Sequence, residues 1–191
     1  MSSMTLHIVP EHGEVYNAKE FWNAWLGAAA IWTTLGEKYL GGKRDYVSNP
    51  NGFSMMDRAN CEKLWGFSEN PCPLTAAERV VLVTTMDMVM ARWENLPRLA
   101  QAFRDFQAEH STAAHCLAQA DYIEQELLPG DAKHAICWTQ TSVAGDVWYS
   151  PRCSDEKHYM WDIEKDEGHW YLYEELAKEE DFLEEEKENE S

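Results

Sequence analysis

The strongest helical pattern in the chain lies at residues 74–94, L-T-A-A-E-R-V-V-L-V-T-T-M-D-M-V-M-A-R-W-E. Thr75 followed three residues later by Glu78 is a capping box. The threonine hydroxyl accepts from the Glu78 backbone N–H and the carboxylate accepts from that of Thr75, which satisfies two of the donors a helix start leaves open. Leu82, Met86, Val89 and Trp93 recur beyond it at helical steps, while Val80, Val81, Val83, Met88 and Met90 spread the apolar surface around most of the girth. Only Thr84, Asp87 and Ala91 remain as a strip for water. The pattern predicts one central helix over 75–94, covered on several sides by other helices.

The same rules place the other elements. Residues 5–9 read as a short strand ended by Pro10. Asn17, with Glu20 in the reciprocal position, caps a second long helix whose Phe21, Trp25, Ala28, Trp32, Leu35 and Tyr39 share a face, and Gly41-Gly42 stops it. Residues 43–53 read as a loop and 54–65 as a short helix with Met55, Ala59 and Leu64 inward. Asn95 and Pro97 open a helix with Leu96, Leu99, Phe103 and Phe106 on one side. Ser111 or Thr112 opens the next, with the stripe Cys116, Ala120, Ile123 and Leu127, ended by Pro129-Gly130.

The period then turns to alternation at 135–141, 146–150 and 158–163, which predicts a C-terminal antiparallel meander of three or four strands. A final helix follows from about Tyr171. The expected fold class is α+β: a mostly helical single domain over 1–173, helical at 17–128 and β-rich at 134–173, with five to six helices around the central one. Residues 174–191 are expected to be an acidic terminal helix or tail.

Charge changes the picture more than composition does. The 191 residues carry a formal net charge of −18, and 16 of the 34 acids but only 4 of the 16 Lys and Arg fall in residues 155–191. Such a field repels nucleic acid and anionic lipid and attracts basic protein surfaces. Residues 1–13 lack a basic start followed by an apolar run, and the apolar stretch 21–35 is too short to span a bilayer, so a cytoplasmic location is expected. Five cysteines, odd in number and without a C-x-x-C pair, fit reduced thiols better than a disulfide framework or a zinc ribbon.

Candidate chemistry is thin. No two of the seven histidines have the spacing of H-E-x-x-H, and His115 and Cys116, being adjacent, diverge on a helix, so no metal and no cofactor are expected. Cys137 near His134, with His158 or His169 across the sheet, is the raw material of a Cys-His pair, but a buried strand cysteine is the commoner case. Asp87 sits in an apolar run yet falls on the polar strip. No nucleophile elbow, phosphate loop or dinucleotide fingerprint is present, and no catalytic residue is assigned. The aromatic residues from Trp138 to Tyr173, Trp148 and Trp161 among them, lie among acids, as a site for a basic or methylated peptide requires; building a sheet core is the alternative.

The last feature is the run 174–190, with ten acids and two lysines in 17 residues. As a helix it would place one net charge every ~3 Å, close to the ~3.4 Å between phosphates of one DNA strand. In size and composition alone the chain resembles the small acidic inhibitors that phages and other mobile elements use against restriction or CRISPR systems. That likeness implies an anti-defence protein that imitates nucleic acid and binds a basic, nucleic-acid-handling protein surface, without binding nucleic acid or membrane itself. Homodimerisation is compatible with it. The expected contact residues are Glu174, Glu175, Glu179, Glu180, Asp181, Glu184, Glu185 and Glu186, with Trp148 and Trp161 serving the peptide-binding alternative. An enzyme with an unrecognised Cys-His site is the third reading.

Overall fold

A computed structural model of the chain describes residues 3–12, 15–22, 24–41, 63–64, 66–67, 73–85, 89–111, 114–140 and 174–183. The class is α+β. Strand β1 (Ser3–Val9) pairs antiparallel with β2 (Tyr16–Trp22), and helix α1 (Ala24–Leu40) follows. Helix α2 (Ala76–Val83), strand β3 (Val89–Arg92), helix α3 (Leu96–His110) and helix α4 (Ala114–Tyr122) come next. Strand β4 (Ala135–Gln140) and the two-residue β5 (Glu174–Glu175) complete a five-stranded sheet of order β2-β1-β4-β3-β5. The first four strands are antiparallel to their neighbours and β5 runs parallel to β3.

Strands from residues 3–22 and 174–175 therefore join β3 and β4 in one sheet, and of the expected C-terminal meander only the strand at 135–141 falls among the described residues, as β4. The strand expected at 5–9 is present within β1, whereas residues 17–22, expected to open a helix, form β2. Asn17 caps nothing: it stands in β2 opposite His7, and α1 begins seven residues later. Pairing with β1 outweighs the local cap signal, because the ladder satisfies the backbone groups of β2 that face β1. Gly41 does end α1, at φ +65, where a residue with a Cβ would be strained.

The central helix is the larger correction. Its capping box is present, with Glu78 N donating to Thr75 Oγ1 at 3.2 Å and Thr75 N to Glu78 Oε2 at 3.0 Å. It nevertheless ends at Val83. Thr84 and Thr85 turn their hydroxyls back onto the carbonyls of Val81 and Leu82, at 2.7 and 2.6 Å, and the apolar run resumes as β3. Thr84 and Ala91, expected on a wet strip, are buried. A run apolar all round suits a covered strand as well as a covered helix, so its period cannot separate them.

Helices α3 and α4 match their stripes. Leu96, Leu99, Phe103 and Phe106 are fully buried, as are Cys116, Ala120 and Ile123, and the last turn at Ile123–Leu127 widens into a π-helix. These side chains, with Ile31 and Leu35 of α1 and Val80 to Val83 of α2, form one core with Leu6, Ile136 and Trp138 of the sheet. Trp138 Nε1 donates to Gln119 Oε1 at 2.9 Å, which leaves the amide nitrogen of Gln119 to donate to His115 Nδ1 at 3.2 Å. The indole is thus a satisfied core group. The loop at 43–53, the helix at 54–62, Asp87 and the strands at 146–150 and 158–163 lie outside the described residues. Lys63, Leu64 and Gly66 are helical, with Leu64 buried.

Candidate functional site

Residues 174–182 are not α-helical, and Leu183, the last described residue, is the first α-helical one. Glu174 and Glu175 are strand, the chain turns at Ala177 with φ +59, and Glu179–Asp181 form a 3-10 turn. Main-chain pairing fixes the segment: Val89 lies opposite Glu174, Met90 opposite Glu175, and Leu176 N donates to Met90 O at 2.8 Å. Leu176 and Ala177 are fully buried in the common core. Pairing with β3 outweighs helix formation because a run of like charges at i,i+4 weakens a helix, whereas the strand and turn bury the two apolar residues.

This docking divides the expected contact residues. Glu175 accepts from Arg92 Nε at 3.1 Å and from Asn95 Nδ2 at 3.3 Å. Asp181 accepts from Arg79 Nη1 at 2.8 Å through one oxygen and from Lys178 N at 3.2 Å through the other. Both carboxylates hold the segment to the body, so they are anchors and not part of a free ridge. Burial pushes the Asp181 carboxyl up, and Arg79 and Lys178 recover only part of that rise. Glu179 and Glu180 are exposed, and Glu180 meets Lys178 at 3.3 Å in a pair that water screens. The backbone of Glu174 lies in β5, and Glu184, Glu185, Glu186, Trp148 and Trp161 lie outside the described residues.

A second acid-containing cluster was not anticipated. Glu78, at the N-terminus of α2, has a fully buried side chain. The C-terminal ends of α1 and α3 converge on it. Its Oε1 accepts from Lys38 Nζ at 2.8 Å and lies 2.8 Å from His110 Nε2, while its Oε2 accepts from Tyr39 Oη at 2.6 Å. Lys38 also reaches Glu109 Oε1, at 2.5 Å. The Glu78 carboxylate at the N-terminus of α2 and the Lys38 ammonium in the last turn of α1 each stand at a favourable helix pole, while Glu109, in the last turn of α3, does not and is met by Lys38. Burial alone would raise the Glu78 carboxyl, but bonds from Lys38, Tyr39, Thr75 and His110 together hold it below the usual range. The Tyr39 phenol is pushed up to about 12 by burial and then by Glu78. Burial pulls the Lys38 ammonium down, and its bonds to Glu109 and Glu78 outweigh this and raise it.

The capping box at Thr75 and Glu78 was legible in sequence; its partners, 32 to 40 residues away, were not. Glu78, Glu109 and His110 also offer three ligand atoms within 4.8 Å of one another. The Cys-His pair considered from sequence, Cys137 with His134, has the opposite character. Burial pushes the Cys137 thiol well up, away from the thiolate a nucleophile needs, and Cys116 up to about 12 for the same reason. The His134 imidazole is lowered by burial and then by Arg92.

Among the described residues no helix is long and apolar enough to cross a membrane. No family model matches this chain, and neither a curated protein nor a solved structure matches it.

Proposed function

We propose that the protein is a non-enzymatic acidic binder that presents its C-terminal carboxylates to a basic protein surface, most simply the groove of a nucleic-acid-handling protein. The observation that carries this reading is the docking of residues 174–177. Burial of Leu176 and Ala177 and the β3–β5 pairing tie the root of the acidic run to the core. A charged segment that leaves a rigid root loses less entropy on binding than a free tail would. Glu179 and Glu180 stand outward beyond that root, and the net charge of −18 supplies the long-range attraction. Asp181 and Glu175 serve as anchors and Glu174 belongs to strand β5, which narrows the contact set to Glu179, Glu180, Glu184, Glu185 and Glu186. On this reading the anti-restriction or anti-CRISPR role remains the most economical biology, since imitation of nucleic acid needs charge and no chemistry.

The test is capture of partners from a native lysate on the immobilised protein, with elution in salt steps. A nucleic-acid-handling protein that elutes steeply with rising salt, and is lost when the five glutamates become Gln with Asp181 retained, supports the reading. Retention of that partner by the five-fold variant at low salt refutes it. The peptide-recognition alternative would instead lose its ligand on Trp148→Ala or Trp161→Ala, with little salt dependence.

A further inference from the structure

We propose that Glu78, Glu109 and His110 form a binding site for one zinc-class divalent ion, which enters by exchange with the Lys38 ammonium. The three side chains come from two elements, and their ligand atoms share one small volume. His110 Nε2 lies 2.8 Å from Glu78 Oε1 and 3.8 Å from Glu109 Oε1. These edges straddle the ~3.3 Å expected between neighbouring ligands of a tetrahedral ion with bonds of about 2.0 to 2.1 Å. Two carboxylate oxygens and one imidazole nitrogen suit zinc or iron(II). Calcium wants six or more oxygens, and magnesium rarely takes a nitrogen.

Three further observations separate this cluster from an ordinary group of surface acids. First, it is built: the Glu78 side chain is 0% exposed and that of His110 8%, while Glu109 at 46% leaves a way in. Second, Glu78 is already oriented as a metal ligand is. Its Oε2 is held by Tyr39 Oη and Thr75 N, which turns Oε1 alone into the shared volume. Third, a cation already bridges the two carboxylates, since Lys38 Nζ stands 2.8 Å from Glu78 Oε1 and 2.5 Å from Glu109 Oε1. The two carboxylates and the ammonium sum to one negative charge, and a dication in the ammonium's place brings that sum to zero. The Lys38 side chain is 37% exposed, so it can swing into water as the ion arrives. Three protein ligands leave a fourth position for water or an exogenous group.

The experiment uses the full chain freed of metal with EDTA and titrated with cobalt(II), a spectroscopic stand-in for zinc, and separately with zinc chloride. Expected are one equivalent of cobalt, the intense visible bands of a four-coordinate ion, and none of the near-ultraviolet absorption that thiolate ligation brings. Glu109→Gln, at a half-exposed position that leaves the fold intact, should weaken binding at least ~10-fold, and His110→Gln likewise. Tyr39→Phe should weaken it about 10-fold by freeing the Glu78 carboxylate. Lys38→Met should tighten binding about 10-fold, because the competing ammonium is gone, and its melting temperature, lowered in EDTA, should be restored by zinc. The proposal is overturned if cobalt gives no four-coordinate bands, if thiolate bands appear, or if Glu109→Gln binds as the parent does. Unchanged or weaker binding by Lys38→Met would also overturn it, by showing that the ammonium is not displaced.

Discussion

Glu78 and Glu180 carry the same side chain in opposite circumstances. The Glu78 carboxylate is 0% exposed and is met by Lys38, Tyr39, His110 and its own helix cap, whereas the Glu180 carboxylate is 76% exposed and meets Lys178 at 3.3 Å. Inside, desolvation makes each missing partner costly, so the carboxylate locks three helix ends together. Outside, water screens the charge, and the same group contributes almost nothing to the fold while remaining available to another molecule. Asp181 stands between the two: its chain position belongs to the acidic run, but its side chain is 6% exposed against Arg79, and it works as a tether. Position in the sequence thus says less about a carboxylate's role than the water around it does.

The contrast is most severely tested at Glu78. Glu78→Ala removes the cap and leaves Lys38 and His110 without their shared acceptor, and is expected to cost about 3–5 kcal/mol in urea unfolding. A loss below about 1 kcal/mol would mean that the junction is decorative. Acidification probes buried groups in the other direction. His7 is lowered to about 4 by burial, with a bond to Asn17 opposing, and His115 is lowered to about 4 by burial. Each binds protons less readily folded than unfolded, so its contribution is complete above about pH 6.5 and is lost as pH falls toward 4. Between pH 7 and 5 each should remove about 2 kcal/mol, and His115→Gln should take away its own share of the slope, with His7 and the likewise lowered His134 keeping the rest. Glu78 is held below its ordinary pKa of 4.5, so its stabilisation is lost below that range and leaves this window unaffected.

Smaller effects sharpen the boundary at the tether. Arg79→Ala should cost about 1–3 kcal/mol by leaving Asp181 buried without its cation, and should raise hydrogen exchange at Leu176 and Asp181 more than in α3. Ala177→Gly should be neutral or stabilising by up to about 1 kcal/mol, since φ +59 is strained for alanine. Glu180→Gln should leave the unfolding midpoint within about 0.5 kcal/mol of the parent while weakening any salt-sensitive partner. A large stability loss there would place Glu180 with Glu78 and dissolve the comparison.

Legibility followed the same divide. Helices α3 and α4 could be read because one face is wet and the other dry, so Leu99, Phe103 and Phe106 recur against Arg98, Gln101 and Asp105. Residues 80–92 carry no such contrast, and α2, its threonine turn and β3 merged into one imagined helix. Residues 16–22 do not alternate, since Glu20 shares a strand face with Tyr16 and Ala18 while Phe21 shares one with Asn17 and Lys19, so Asn17 with Glu20 offered the stronger local signal. Of the two acid-containing clusters only the terminal one was visible, because charge density is a property of composition. The junction at Glu78 depends on residues that sequence separation hides.

The chain by itself determined where one helix is capped, which two helices present a single apolar stripe, and how unevenly its charge is distributed. Each of these depends on residues a few positions apart or on simple sums. Tertiary structure alone decided that strands from residues 3–22 and 174–175 share a sheet, that Asp181 and Glu175 pair with Arg79 and Arg92 as tethers, and that Lys38, Tyr39, Glu109 and His110 gather around Glu78. The reason is physical: backbone groups and charges withdrawn from water take whichever partners the packed core brings within reach, and distance along the chain does not enter that choice.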